Sequence, residues 1–290
     1  MLVALSKNGA IASASSDGTN VELIGCFDHG IQCAAWSADK ELLSFVTLQP
    51  EETDESILVP VLMTMNTQFE ILSEVPLPHY LEGSGISVCW NKKTDNQFVA
   101  ISTHDSQDNT RKIRFFKGES LENVATSRTE DGSGKLIPNI LAHADIAWAG
   151  SNTSNVLACV QRKGRKGRNI VFLEPNGLQH GGFKLEHRLD HEEVVRMDWN
   201  AESDLLAITL VGKGINDLQY GKVQFYYRNN YHWYLKHEIQ LQDGVKVSNV
   251  RFDEIKGYDV SISLQHTVDT SLQEWRDYRF TWDVLGYWYC

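Results

Sequence analysis

Two histidines, His187 and His191, stand four residues apart in the segment LEHRLDHEE. On a helix that spacing puts both imidazoles on one face, where they can share a zinc ion. Here the segment reads as a strand end followed by a turn, so the pair is not assigned as a metal site. Asp28-His29 and Asp190-His191 each precede an apolar phrase ending in Trp by a similar distance. Such pairs are expected to brace a turn through hydrogen bonds. The signatures of nucleophilic, zinc and nucleotide chemistry (GxSxG, HExxH, GxGxxG, and GxxxxGK followed by Ser or Thr) do not occur in the chain. No catalytic, cofactor-binding or metal-binding residue is assigned.

Two segments have the composition of a contact surface. RKGRKGR at 162–168 concentrates Arg162, Lys163, Arg165, Lys166 and Arg168 between two strand-like runs. Such a loop can lie along a phosphate backbone or meet an acidic partner. A solvated hairpin tip has the same composition, because charge and Gly are common there. NNYHWYLKH at 229–237 offers Tyr231, His232, Trp233 and Tyr234. Nucleic-acid readers stack bases on such rings. The run continues directly into the apolar strand EIQLQ, so alternate rings are expected to pack between sheets.

These segments sit on a repeat. An apolar–Trp strand, a polar turn and a second apolar strand recur as IQCAAWSADKELLSFVT (31–47), ISVCWNKKTDNQFVAIST (86–103), IAWAGSNTSNVLACVQ (146–161) and VVRMDWNAESDLLAITL (194–210). The anchors are Trp36, Trp90, Trp148 and Trp199. Phe252 takes the Trp position in a fifth copy, VSNVRFDEIKGYDVSISL (247–264), and the anchors lie about 50–60 residues apart. In the second strand, Leu205, Ala207 and Thr209 alternate with Leu206, Ile208 and Leu210. Both sets are largely apolar, as in strands covered on both faces. Third strands are expected at 113–118, 170–177 and 223–230, and fourth strands at GFKLEHR (182–188) and WYLKHEIQL (233–241). Four antiparallel strands per unit at a near-fixed period predict an all-β, WD40-like β-propeller. Residues 4–25 look like part of another blade, so five to six blades are expected. Neither end supplies an evident closing strand, which favours a segment of a larger propeller. The best helical spacing, HTVDTSLQEWRD at 266–277, is weak.

The bulk properties agree with this reading. The chain has 290 residues, 42% hydrophobic and 22% charged, with a formal net charge of −11. That balance opposes a general nucleic-acid surface. No apolar run is long enough to span a membrane, and the N-terminal residues have no basic stretch of a signal peptide. Five cysteines without a CxxC pair predict reduced, buried thiols in a protein of the cytosol or nucleus. Asn152-Thr153-Ser154 is read as a chance match to a glycosylation sequon.

Three stretches together resemble the first propeller of the largest subunit of the Elongator complex: NVLACVQRKGRKGRNIVFLEPNGLQHGGFKL (155–185), VVRMDWNAESDLLAITL and NYHWYLKHEIQL (230–241). The matching positions are Gln161, Arg162 and Lys163, then Phe172, Glu174, Asn176, Gly177, Leu178, His180 and Gly181. Trp199, Asn200, Leu206 and Ala207 follow, and then Asn230 to Lys236. GCFDHGIQCAAWSADKELLSFVT resembles an earlier blade, and the match spans roughly 24–290. NGLxHGxF and NYHWYLK are specific, being no general feature of propellers. The basic loop is richer in cations and differently spaced than the family pattern, and 49–57 fits it loosely.

The resemblance implies that residues 1–290 form a single propeller segment. The second propeller and the helical, dimerising, tRNA-contacting region of that subunit lie outside the matched part. It also implies a scaffold in the cytoplasm, and in the nucleus too, with no cofactor of its own. The expected partners are the catalytic subunit, which uses an iron–sulfur cluster, S-adenosylmethionine and acetyl-CoA, and a second propeller subunit. Contact with tRNA would be indirect. The competing expectation is a stand-alone RNA- or protein-binding module working through 162–168. Under that reading, changing Arg165, Lys166 and Arg168 to Ala weakens salt-sensitive tRNA binding in a filter-binding titration. Under the scaffold reading, tRNA affinity is unchanged.

Overall fold

The computed structural model describes all residues except 1, 16, 18, 52–53, 78–79, 81–83, 94, 96, 108, 130–134, 136, 138–139, 141–145, 151–154, 162–168, 215–216, 254, 256, 267–272 and 280–290. Among the described residues there are only strands and their connections, arranged in six antiparallel sheets. The chain divides into two compact units, Met1–Ala142 with Pro175–Gln179, and His143–Glu174 with His180–Cys290.

The first unit holds three sheets. They are β1 (Leu2–Leu5), β2 (Ala10–Ala14) and β3 (Val21–Cys26); β4 (Ile31–Trp36), β5 (Leu42–Glu51), β6 (Asp54–Asn66) and β7 (Ile71–Pro76); and β8 (Ser87–Trp90), β9 (Phe98–Asp105), β10 (Thr110–Lys117) and β11 (Asn123–Thr126). The second unit carries β12 (Ala147–Trp148), β13 (Leu157–Val160), β14 (Ile170–Leu173) and β15 (Gln179–Phe183, whose first residue belongs to the first unit). It continues with β16 (Glu193–Trp199), β17 (Leu205–Lys213), β18 (Gln219–Asn229) and β19 (His232–Gln240), and then β20 (Val245–Phe252), β21 (Asp259–His266) and β22 (Gln273–Arg279). Strands follow one another in chain order within each sheet, the meander of a propeller blade. The fold is an all-β propeller with six blade sheets among the described residues.

Burial follows position in the blade. Leu205, Leu206, Ala207, Ile208, Thr209 and Leu210 of β17 are all buried, so both faces are covered. Between the last two sheets, Leu205, Ala207, Val223 and Phe225 pack against Val250, Phe252, Val260 and Ile262. In the first unit, Val46 and Leu62 of one sheet meet Trp90, Val99, Ile101 and Phe116 of the next. The last strands of the four-stranded sheets are the exposed ones, as the alternating pattern of β19 shows.

The residue after each Trp explains why the repeat turns where it does. Ser37, Asn91 and Asn200 are buried, and each backbone N–H donates to the carbonyl of the residue opening the next strand. Each side-chain oxygen accepts the N–H of that same residue: Leu42 to Ser37 Oγ, Phe98 to Asn91 Oδ1 and Leu205 to Asn200 Oδ1, all at 2.9 Å. A Ser or Asn at this point satisfies polar backbone groups in a dry turn. Ala149 cannot do this. In its sheet Trp148 Nε1 donates to Asn155 Oδ1 at 2.8 Å, and Gly150 N donates to Ser203 Oγ at 2.6 Å.

Two expected elements differ. The strand sought at 182–188 is Gln179–Phe183, because Gly182 (φ +143°) lies against the Ile170 carbonyl and Leu185 N turns away to Asn169 Oδ1 at 3.3 Å. The stretch with helical spacing ends as β22, paired with β21 from Asp259↔Arg279 to Gln265↔Gln273.

Asn200 is the most connected of the turn caps, since its Nδ2 also donates to Glu202 Oε2 and Asp204 Oδ1. Asn200→Ala is expected to destabilise the protein by about 2–3 kcal/mol, by leaving buried N–H groups unpaired. Asn200→Ser keeps one acceptor and is expected to lose about half as much, measured by urea unfolding.

Candidate functional site

The basic segment 162–168 lies outside the described residues, so Arg162, Lys163, Arg165, Lys166 and Arg168 have no structural account. Its two ends are fixed. Gln161, buried at the end of β13, donates its backbone N–H to the Asn169 carbonyl at 2.7 Å, and Asn169 N donates to the Phe183 carbonyl at 3.0 Å. β13 and β14 are thus in closed register up to Gln161 and Asn169. The sequon at 152–154 is also outside the described residues.

The aromatic run forms the β18–β19 hairpin. Tyr227 pairs with Tyr234, Arg228 with Trp233 and Asn229 with His232, leaving Asn230 and Tyr231 as the turn. Both turn residues have positive φ, +47° and +65°, as a two-residue hairpin requires. The rings divide between two roles. Trp233 packs inward, with ring centroids 5.3 Å from Phe172, 5.3 Å from Phe183 and 5.4 Å from Trp199. Tyr231, His232 and Tyr234 are exposed, so packing accounts for one of the four rings. Lys236 Nζ lies over the Tyr227 and Tyr234 rings, at 5.8 Å and 5.9 Å from their centroids.

The NGL segment has a local reason. Asn176 Oδ1 accepts Leu178 N at 2.8 Å, and Gly177 has φ +80° with its would-be Cβ 2.3 Å from the Thr126 carbonyl oxygen. A side chain at Gly177 would collide with backbone. His180 Nδ1 sits 3.0 Å from Glu174 Oε1.

Of the expected Asp–His pairs, His191 joins a bracing cluster through the Tyr220 hydroxyl, but the buried carboxylate in that cluster is Glu192. Asp28, His29 and Asp190 are exposed. Glu192, fully buried, accepts Leu189 N at 2.8 Å on Oε2. On Oε1 it meets Lys222 Nζ at 2.6 Å and the Tyr220 hydroxyl at 2.9 Å. Lys222 Nζ also donates to the His187 carbonyl at 3.1 Å, and His191 Nε2 is 3.2 Å from the Tyr220 hydroxyl. A polar side chain from the middle of the sheet grips the approach to the inner strand elsewhere too. Thr47 Oγ1 donates to the Gly30 carbonyl at 2.9 Å, and Arg111 donates to the Ser84 and Gly85 carbonyls at 3.0 Å and 2.8 Å. Residues 17 to 35 positions apart meet here, and no local pattern in the sequence announces it.

This buried cluster holds structure in place. Burial pushes the Glu192 carboxyl up, but the hydrogen bonds from Lys222, Leu189 and Tyr220 outweigh that and hold it below the usual glutamate range. Burial and the Glu192 carboxylate push the Tyr220 hydroxyl up. Lys222 and Glu192 neutralise one another out of reach of any solute. His187, whose Nδ1 lies 3.8 Å from Glu238 Oε2, and His191 face different partners. Among the described residues, no group of three or more His, Cys, Asp or Glu side chains is placed to hold a metal ion. The thiols divide as well. Cys159 is buried, which raises its pKa, whereas Cys26 is exposed on β3 and departs from the expectation of buried thiols.

Removing one partner of this pair leaves a charge without compensation. Lys222→Met is expected to cost about 3–5 kcal/mol at neutral pH. The Glu192 contribution is complete above its ordinary value of 4.5 and fades as pH falls through the lower folded-state value. The gap in melting temperature between wild type and variant should therefore narrow below about pH 4.5. A gap independent of pH would contradict this assignment.

Comparison with known proteins places these features in a family. The family described as the ELP1 first N-terminal beta-propeller matches residues 1–94 and 81–255. The chain is 29% identical over 259 residues to Elongator complex protein 1 of Rattus norvegicus, covering 76% of this chain and 18% of that protein. It is 27% identical over 330 residues to Elongator complex protein 1 of Saccharomyces cerevisiae, covering 90% of this chain and 23% of that protein. The chain thus spans about a fifth of the length of these curated relatives. A solved structure from Desulfotomaculum acetoxidans, titled as a functionally unknown protein, is alike in fold, with TM-score 0.57 at 7% identity over 92% of this chain and 78% of that one. With the model match covering well over half its residues, the chain belongs to the family of the ELP1 first N-terminal beta-propeller.

Proposed function

We propose that this chain is a non-catalytic scaffold of the Elongator complex. It would hold the catalytic subunit and a second propeller subunit in the arrangement that modifies the wobble uridine of tRNA toward derivatives such as 5-methoxycarbonylmethyluridine. The observation that carries this reading is the family match, together with relatives named Elongator complex protein 1. The mechanism is geometric. Sheets covered on both faces and closed by buried caps are rigid, and their connecting loops are presented in fixed positions to partner chains. In this reading the chemistry belongs to another chain and tRNA contact to the assembled complex. The chain forms one propeller segment and works in the cytoplasm and the nucleus.

The test is purification of the tagged chain from cells of its source. It is expected to bring down the radical-type acetyltransferase subunit and the second propeller subunit in fixed ratio. Recovery of the chain alone, at its monomer mass of 32.8 kDa, would count against the scaffold role.

A further inference from the structure

Among the described residues, the first sheet is a blade without its innermost strand. Register, packing and exposure each give β1, β2 and β3 the second, third and fourth positions. In three of the four-stranded sheets a bulge offsets the third and fourth strands, at Thr64/Met65, Phe115/Phe116 and Phe225/Tyr226. The second and third strands pair without one in β9–β10, β13–β14 and β17–β18. β2–β3 carries the bulge, between Ile11 and Ala12, and β1–β2 pairs without one. Packing agrees. The turn between second and third strands rests on the link to the next sheet, where Gly244 N donates to the Gln219 carbonyl at 2.8 Å. The β1–β2 turn does the same, since Phe27 N, in the link to β4, donates to the Gly9 carbonyl at 3.1 Å. A Cβ on Gly30 in that link would strike the Lys7 carbonyl. β3, finally, is mostly exposed, like the outermost strands β7 and β19. β1 is therefore a second strand with one neighbour. Elsewhere second strands pair on both sides and bury consecutive residues, as at 43–47 and 205–210. Among the described residues β1 pairs with β2 alone, Val3 and Leu5 are half-buried and Ala4 is exposed. The far side of β1 presents a row of backbone N–H and C=O groups beside apolar side chains.

We propose that the free edge of β1 is a strand-accepting site, and that its occupant is an innermost strand from the part of the protein outside residues 1–290. Polypeptide to supply it is in keeping with the relatives, of which this chain spans 18% and 23%. The chain carries templates of the occupant. IQCAAW, SVCW and EVVRMDW fill the same position in three other sheets and run antiparallel to their second strands. Each ends in Trp and is followed by Ser or Asn. A segment of this kind continues the main-chain ladder of β1 and adds apolar side chains beside Val3 and Leu5. A segment with Pro at its centre cannot, because the ladder needs its N–H donors.

The test uses the full chain, with a synthetic peptide copying Glu193–Asn200 (EVVRMDWN) as the probe and amide exchange at Val3–Leu5 read by NMR. The peptide is expected to bind saturably and to slow exchange at Val3, Ala4 and Leu5 at least about tenfold, with β17 unchanged. The same peptide in scrambled order, or carrying Met197→Pro, is expected to give no protection. These changes lie in the probe, so the folding of the chain is untouched. Photo-leucine cross-linking in cells of the source is expected to join Leu5 to another segment of the same polypeptide. Four results overturn the proposal. Protection at Val3–Leu5 in the chain alone, equal to that of β17, means that residues 1–290 already cover the edge. Protection that grows with chain concentration assigns the edge to a second copy. Cross-links from Leu5 to a different subunit assign it to a partner protein. Unchanged exchange at saturating peptide means that the edge accepts no strand.

Discussion

The second strand of each four-stranded sheet is largely apolar on both faces, and neither face can be left in water. A strand such as Leu205–Lys213, with six consecutive buried residues at its start, exists only between two neighbouring layers. The anchoring tryptophans answer that demand. Trp199 lies between sheets, with its ring against Phe172 and Trp233 and its Nε1 donating to the Ala147 carbonyl at 3.2 Å. One side chain thereby joins strands β12, β14, β16 and β19. Stacking of blades follows from burial, while turn chemistry determines where each blade begins.

Dry packing leaves little tolerance for polar groups, and the buried turn caps and the side chains that grip the strand ends are hydrogen-bonded. The turn caps Ser37, Asn91 and Asn200 close the outward end of the inner hairpin. Thr47, Arg111 and Lys222 grip the approach to the inner strand at the other end. Three different side chains do the same task in three sheets, which is why the repeat is structurally regular while its sequence is not. These clusters are satisfied internally. What remains for function is the set of loops and hairpin tips that they hold still.

Much of this was legible in the chain itself. The apolar–Trp phrases announce the inner hairpins, because period-two alternation and a following Ser or Asn are local signals. The third strands fell where expected for the same reason. The Glu192–Lys222–Tyr220 cluster was not legible, since its members come from separate strands and Lys222 sits in an otherwise apolar run. The Asp–His pairs drew attention by composition, yet the neighbouring Glu192 is the residue with the buried brace. Among the aromatics, the sequence could not tell Trp233 from Tyr231. Strand register and a positive φ decide which ring turns inward and which stands in solvent.

The central claim is that this chain acts by presenting rigid turns to partner proteins. Hydrogen exchange on the chain, alone and with the catalytic Elongator subunit bound, tests it most directly. The account predicts slowed exchange confined to turns that join the strands, with β17 and β18 equally protected in both states. Exchange that is unchanged at those turns while binding occurs, or that slows only in the strands of the core, would contradict it.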